Sequence, residues 1–386
     1  MFRWVLFSSA GLCFALGLLT LVRAPDWAEW RLAVLAGEYG YALAAVPFFI
    51  AVLAASNRGM HPGVALATLL LCSLAIGLFC RPVIEAARIS QNLAANLASS
   101  YGRVPMTREP FAVTALIGRG IPPVPIETRE FAPGLTLDYY QPAAAATGPV
   151  PCVIVVHGGG WDSGDRTQLA SFNHWVVSLG YAVAAISYRL APAHTWPAPR
   201  DDTLAAIAYL KANATALRLD PTRLVLLGRS AGGQIAEVVA YTARDPALRG
   251  LVALYSPSDL NFGYANAWED DALKSPTLMR QYLGGPPATA QAAYDSASAL
   301  NHVTADAPPT LQLHGRLDGL VWHRHSERLE ARLNELKVKN LFVSLPWATH
   351  AFEVNRHGPG GQISTYAIEW FLAAVTRPAP ADVTSR

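Results

Sequence analysis

The pentapeptide Gly228-Arg229-Ser230-Ala231-Gly232 follows the apolar run Leu224–Leu227 and opens a helical pattern extending to Ala243. A serine between strand and helix is forced into a strained turn, and glycines two before and two after it let the two elements approach. Its hydroxyl then sits at a helix N-terminus, where backbone N–H groups favour developing negative charge. The pentapeptide alone is also compatible with an ordinary Gly-rich turn; its placement favours a nucleophile. A second signal is His157-Gly158-Gly159-Gly160-Trp161, directly after Cys152–Val156. Three glycines leave their amides uncovered, in the loop position where an oxyanion hole needs donors. A phosphate cradle is the rival, but neither G-K-[ST] nor G-x-G-x-x-G is present. His157 itself reads as a residue that fixes the loop.

A nucleophile on such a turn is followed in chain order by an acid and then a histidine. Asp318 follows the run Thr310–Leu313, and His350 follows Leu341–Leu345. Both fall just past strand C-terminal ends, where open α/β sheets build their sites. Asp306 precedes its strand and falls at the wrong edge. His314, His323 and His325 read as structural, and His323 and His325, two apart, do not share a helical face for a metal.

These residues need a scaffold. From Ile126 onward, short apolar runs alternate with longer helical stretches, the pattern of parallel strands joined by crossover helices. Cys152–Val156 is continuously apolar, as a strand buried on both faces should be. Tyr181–Ser187, Leu224–Leu227, Leu251–Tyr255, Thr310–Leu313 and Leu341–Leu345 repeat it, whereas Leu135–Tyr140 alternates like an exposed antiparallel edge strand. Helices are predicted over Asp201–Asn213, Ser230–Ala243, His323–Leu336 and Gln362–Val375. The stretch of about 50 residues between Tyr255 and Thr310 is long enough to be a cap or pocket wall. It carries Phe262, Tyr264, Trp268, Tyr282 and Tyr294, so the substrate pocket is expected to be aromatic, with Trp161, Trp268 and Trp347 as its candidates.

The first third of the chain is different in kind. Of 386 residues, 52% are hydrophobic and only 15% charged, against about 25% charged in an average soluble protein. Residues 1–80 carry seven charged groups, which leaves uncharged runs at 4–22, 39–56 (extended to 32–56 if Glu38 lies at an interface) and 63–80. About 20 helical residues cross a bilayer, with 17–25 tolerated, so three transmembrane helices are expected. Pro47 marks a kink in the second. Residues 4–22 exceed the apolar length of a signal peptide, and Leu21-Val22-Arg23-Ala24 is a poor cleavage site. The arginines on either side count four against three, the free amine included, leaning towards a cytoplasmic catalytic part. Val83–Ser100 spaces its apolar residues as an amphipathic helix does, on the membrane surface or on the catalytic domain. A Pro/Gly-rich connector ends at Pro125. The expected organisation is therefore 1–81 membrane region, 82–125 helix and connector, 126–378 catalytic domain and 379–386 tail. Since every catalytic candidate lies beyond Pro122, a chain beginning there is expected to be soluble and active. The net charge of +2, with no basic stripe interleaved with aromatics, excludes a nucleic-acid surface. Cys13, Cys72, Cys80 and Cys152 make neither a disulfide framework nor a zinc spacing.

Taken together, the His-Gly-Gly-Gly-Trp loop, Tyr188-Arg189-Leu190-Ala191-Pro192, Asp220-Pro221-x-Arg223, Gly228-x-Ser230-Ala231-Gly232-Gly233, His314-Gly315-x-x-Asp318 and His350-Ala351-Phe352 resemble the α/β-hydrolase family of esterases and lipases. Within it they are most similar to the hormone-sensitive-lipase-like group and its bacterial acetyl-esterase and feruloyl-esterase-like relatives. Ala193 and Trp161 depart from the hormone-sensitive-lipase pattern and favour the bacterial relatives. The resemblance runs from about Leu135 to Leu372 and leaves the apolar third uncovered. It implies an α/β-hydrolase fold with a mostly parallel sheet, a Ser230–Asp318–His350 triad, and oxyanion donors from Gly158, Gly159, Gly160 and Ala231. It also implies no cofactor and no metal. The expected activity is that of a membrane-anchored serine hydrolase of carboxylic esters with apolar acyl or alcohol groups, held in a bacterial-type inner or plasma membrane. Amidase or formamidase chemistry on the same triad is the alternative, as is a non-catalytic binding protein. Its partners would be a lipophilic ester and the bilayer; oligomeric state leaves no mark in the sequence.

Overall fold

The computed structural model describes residues 2–142 and 148–377. Most of the Ala-rich loop before Cys152 and the 379–386 tail lie outside the described residues.

Four helices come first: α1 (Phe2–Leu18), α2 (Trp27–Leu43), α3 (Ala45–Ser56) and α4 (Pro62–Tyr101). The expectation of three spans is corrected here. Among the described residues, only α4 contains a window long and apolar enough to cross a membrane; α2 and α3 pass the same test jointly but are bent by 54°. The bend has a cause in Pro47, whose ring lacks an N–H and clashes with the carbonyl four residues earlier, that of Leu43. The helix breaks at that turn. The 4–22 run is cut short because the chain tightens after Leu18 into three-residue turns, with the N–H groups of Leu19, Thr20 and Leu21 bonding Leu16, Gly17 and Leu18.

No boundary falls at residue 81 or 82. α4 continues for 40 residues straight through Pro82, and at 1.5 Å per residue it is about 60 Å long. Its first half is apolar, whereas its second half turns Ala86, Leu93 and Leu97 into the catalytic core. The amphipathic helix expected over Val83–Ser100 is thus the continuation of the third apolar run, packed on the hydrolase side.

After Gly102 the chain runs irregularly into β1 (Ile126–Ala132), β2 (Leu135–Tyr140) and β3 (Val150–Val156). Then come α5 (Ala170–Ser178), β4 (Ala182–Ile186), α6 (Ala198–Ala212), α7 (Ala214–Leu217), β5 (Leu219–Arg229), α8 (Ala231–Thr242) and β6 (Leu248–Leu254). Three helices, α9 (Leu260–Asn266), α10 (Ser275–Leu283) and α11 (Pro287–Ala297), form the long insertion before β7 (Thr310–Gly315). The fold closes with α12 (Arg324–Glu335), β8 (Asn340–Leu345) and α13 (Pro359–Val375).

The eight strands order as β1-β2-β4-β3-β5-β6-β7-β8. β2 pairs antiparallel with both β1 and β4, and from β4 onward every pairing is parallel. Leu135–Tyr140 is therefore antiparallel as expected but not an edge: β1 covers it, and Leu137–Tyr140 are buried. Because strand side chains alternate between faces, β3 sends Ile154 and Val156 into a core shared with α6 and α8, and Val153 and Val155 into one shared with α5, α13 and α4.

Candidate active site

Ser230 follows β5 and caps α8, with φ +51° and ψ −122°. Strand and helix approach so closely there that a Cβ on Gly228 would lie 2.3 Å from the Gly232 carbonyl oxygen, and one on Gly232 would lie 2.1 Å from that of His157. Both glycines of the pentapeptide are therefore steric requirements, and the second ties the turn to the glycine loop after β3.

That loop supplies fewer donors than expected. The Gly158 N–H donates to Gln168 Oε1 at 2.9 Å, which removes Gly158 from the set of free amides. Among the described residues, the N–H groups of Gly159, Gly160 and Ala231 have no intramolecular acceptor. His157 fixes the loop from behind: its Nδ1 lies 2.8 Å from the Gly158 carbonyl, its ring stacks on Tyr188 at 4.2 Å, and its carbonyl accepts from Tyr188 Oη.

Asp318 and His350 are brought together from the loops after β7 and β8. His350 Nδ1 lies 2.7 Å from Asp318 Oδ2, while Asp318 Oδ1 accepts from the N–H groups of Leu320 and Val321. His314 Nε2 stands 3.2 Å from the same Oδ2. Burial pushes the Asp318 carboxyl up, but His350 and His314 outweigh it and hold it well below the usual carboxylate range. Asp306 is exposed before β7 and bonds Thr304. His323 and His325 are buried and, by burial first, pushed down to about 3, so they are neutral at pH 7. Among the described residues no three His, Cys, Asp or Glu side chains gather as metal ligands.

Two cavities meet over Ser230 and Gly160. The larger, about 540 Å³, lies under the α9–α10 insertion and is lined by Trp161, Phe262, Trp268, Met279, Asp318 and Trp322, among others. The smaller, about 420 Å³, is lined by Gly158, Gly159, His350 and Val354, and by Trp27 and Trp30 of α2. Trp161 and Trp268 line the larger space. Trp347 does not: it is 1% exposed and points behind His350, donating from Nε1 to Glu38 Oε1 at 3.3 Å. Tyr282 and Tyr294 are core residues, fully buried, and Tyr282 stacks on Trp161.

The contribution of α2 is what sequence reasoning missed. Trp30 Nε1 donates to the His350 carbonyl at 3.1 Å. Glu38 is not interfacial but buried, accepting from Gly360 N at 2.9 Å and from Trp347, while its carbonyl accepts from Asn355. No local spacing announces these contacts, since their partners lie more than 300 residues away.

The strand order, the Ser230 turn between β5 and α8, and Asp318 and His350 on the loops after β7 and β8 are those of the α/β-hydrolase class. The chain belongs to the BD-FAE family, whose profile matches residues 137–333. It is similar to the probable carboxylic ester hydrolase LipM of Mycobacterium tuberculosis, 29% identical over 61% of this chain and 57% of that protein. Esterase LipQ of the same organism is 29% identical over 55% of this chain and 53% of its own length. The chain thus spans little more than half of these two relatives. Among solved structures, the one titled "Bacterial Heroin Esterase" superposes with a TM-score of 0.58 at 22% identity, covering 76% of this chain and 98% of that one. Esterase LipW from Mycobacterium marinum gives 0.55 at 21% identity, over 76% and 90%. At such identities these two carry the fold alone.

Proposed function

We propose that this chain is a membrane-anchored serine hydrolase of carboxylic esters with apolar acyl or alcohol parts. The observation that carries the proposal is the 2.7 Å contact of His350 with a buried, ionised Asp318 in a loop pair whose cavities also hold Ser230. His350 takes the Ser230 proton as Oγ attacks the ester carbonyl carbon, Asp318 holds the imidazole tautomer and its charged form, and the amides of Gly159, Gly160 and Ala231 receive the oxyanion. The C–O bond to the alcohol then breaks, and His350 gives its proton to the departing oxygen. Water, activated by the same histidine, releases the acid from the acyl-enzyme. The names of LipM and LipQ, both ester hydrolases, support ester over amide substrates.

The membrane part of the proposal rests on α4 and its neighbours. Leu66, Leu70 and Leu74, one helical turn apart, and Phe48 and Phe49 of α3 are all at least half exposed, a surface suited to lipid. A bacterial-type inner membrane is the proposed location; the four-to-three arginine count assumed three spans and falls with them. Ser230→Ala tests the chemistry: hydrolysis of p-nitrophenyl butyrate by the detergent-purified chain should fall by at least about 10³-fold. Retention of most of the activity would remove Ser230 from the mechanism.

A further inference from the structure

The smaller cavity has a wall that does not come from the hydrolase fold. Trp27 and Trp30, edge to face at 5.0 Å, close it opposite Gly158–Gly160 and His350. The wall is fixed at several points. Trp30 bonds the His350 carbonyl, Arg23 lies over the Trp322 ring at 5.6 Å, and the Ala24 carbonyl sits so near Gly319 that a Cβ there would come within 2.3 Å. Arg23, Ala24 and Pro25 also reach the rim of the larger cavity. Trp27 remains 45% exposed; Leu21 and Val22, six and five residues earlier in the chain, are 46% and 50% exposed, with Arg23 and Asp26 exposed around them.

Chemistry assigns the two spaces. Resting on the ester-hydrolase reading, the alcohol half must leave past the group that protonates it, and His350 lines the smaller cavity and not the larger. The acyl half stays on Ser230 and fills the space under the α9–α10 insertion. We infer that Trp27 and Trp30 are specificity-determining residues that form the alcohol side of the substrate site, and that they select esters of long-chain or cyclic apolar alcohols.

The test uses the full chain in detergent micelles and two substrate series followed by acid release: butyrates of ethanol, hexanol and decanol, and ethyl esters of butyric, hexanoic and octanoic acid. Each variant is compared with wild type on the same substrate, so partition into micelles cancels. Trp27→Ala should lower the decyl-to-ethyl ratio of kcat/KM about tenfold, chiefly through KM, and Trp27→Phe should restore most of it. Met279→Ala, under the insertion, should instead alter the acyl series. Trp27 is half exposed, so its variants test the inference even where Trp30→Ala fails to fold. An equal loss in both series, or a loss confined to the acyl series, would overturn the assignment while leaving the ester hydrolase intact. A wild-type chain inactive on every ester would overturn the ester reading and this inference with it.

Discussion

Ser230 occupies a backbone region that costs about 1–3 kcal/mol, and it is held there by a strand and a helix packed too tightly for any side chain at Gly228 or Gly232. The acid is the residue whose replacement tests this arrangement most directly. Asp318→Asn should cost about 10⁴-fold in kcat by presenting the wrong partner to the imidazole, whereas exposed Asp306→Asn should leave kcat within about twofold of wild type; the reverse result would move the acid. Behind the nucleophile, Glu237 of α8 accepts from Ser258 Oγ at 2.9 Å, and burial pushes its carboxyl from 4.5 up to about 8. Folding therefore favours the protonated form, so its stabilisation is complete below about pH 4.5 and disappears as pH rises through about 8. Glu237→Gln keeps the acceptor and abolishes the titration. Thermal unfolding should show the variant gaining at least about 3 °C over wild type at pH 9, with a smaller difference at pH 6. Ser230, Asp318 and His350, the proposed triad, could be picked out in the sequence because each follows its own strand within a few residues. The occupied Gly158 amide was not, because Gln168 reaches it through a loop whose path no local pattern encodes.

At the scale of elements, α2 and α4 decide whether the catalytic part stands alone. Sequence periodicity correctly showed Val83–Ser100 as a helix with an apolar face, but it could not choose between lipid and protein as the cover for that face. The answer lies in Leu93 and Leu97, buried against α13 and the sheet, and in Tyr101 Oη, which donates to the Thr310 carbonyl at 2.6 Å. Each such leucine contributes about 1.5–3 kcal/mol by its burial. A chain beginning at Pro122 should consequently aggregate or lose activity, contrary to the expectation from motif positions alone; soluble, fully active protein would show that α4 is dispensable. Glu38→Ala is the finer probe. It leaves the Asn355 bond to the backbone but strips Gly360 and Trp347 of their acceptor, and should destabilise the chain by about 1–3 kcal/mol in a denaturant titration. Since the loop it braces carries His350, kcat should fall more than KM rises.

For the molecule as a whole, the apolar N-terminal helices pack onto the hydrolase fold through α2 and α4. An alkaline carbonate wash should leave the chain in the membrane pellet, and detergent should release it; release by carbonate alone would reduce the N-terminal helices to a surface contact. Three spans could be counted from composition, but the break at Ala44 and the early end of α1 depend on how neighbouring helices meet, which hydropathy does not encode. The contacts between α2 and the histidine loop carry a consequence for timing. Trp30 and His350 are 320 residues apart, and Glu38 and Gly360 are 322 apart. The brace leaves the ribosome near the beginning of translation and its partner near the end. Ser230 and Asp318 are made earlier than the loop that carries His350. On the proposed mechanism the unfinished chain thus holds a serine without its base, and turnover can begin only when the last loop docks onto a helix made, at about 5–20 residues per second, some tens of seconds before. The proposed ester-cleaving centre is in this way silent until its last-made loop meets the N-terminal helix that braces it.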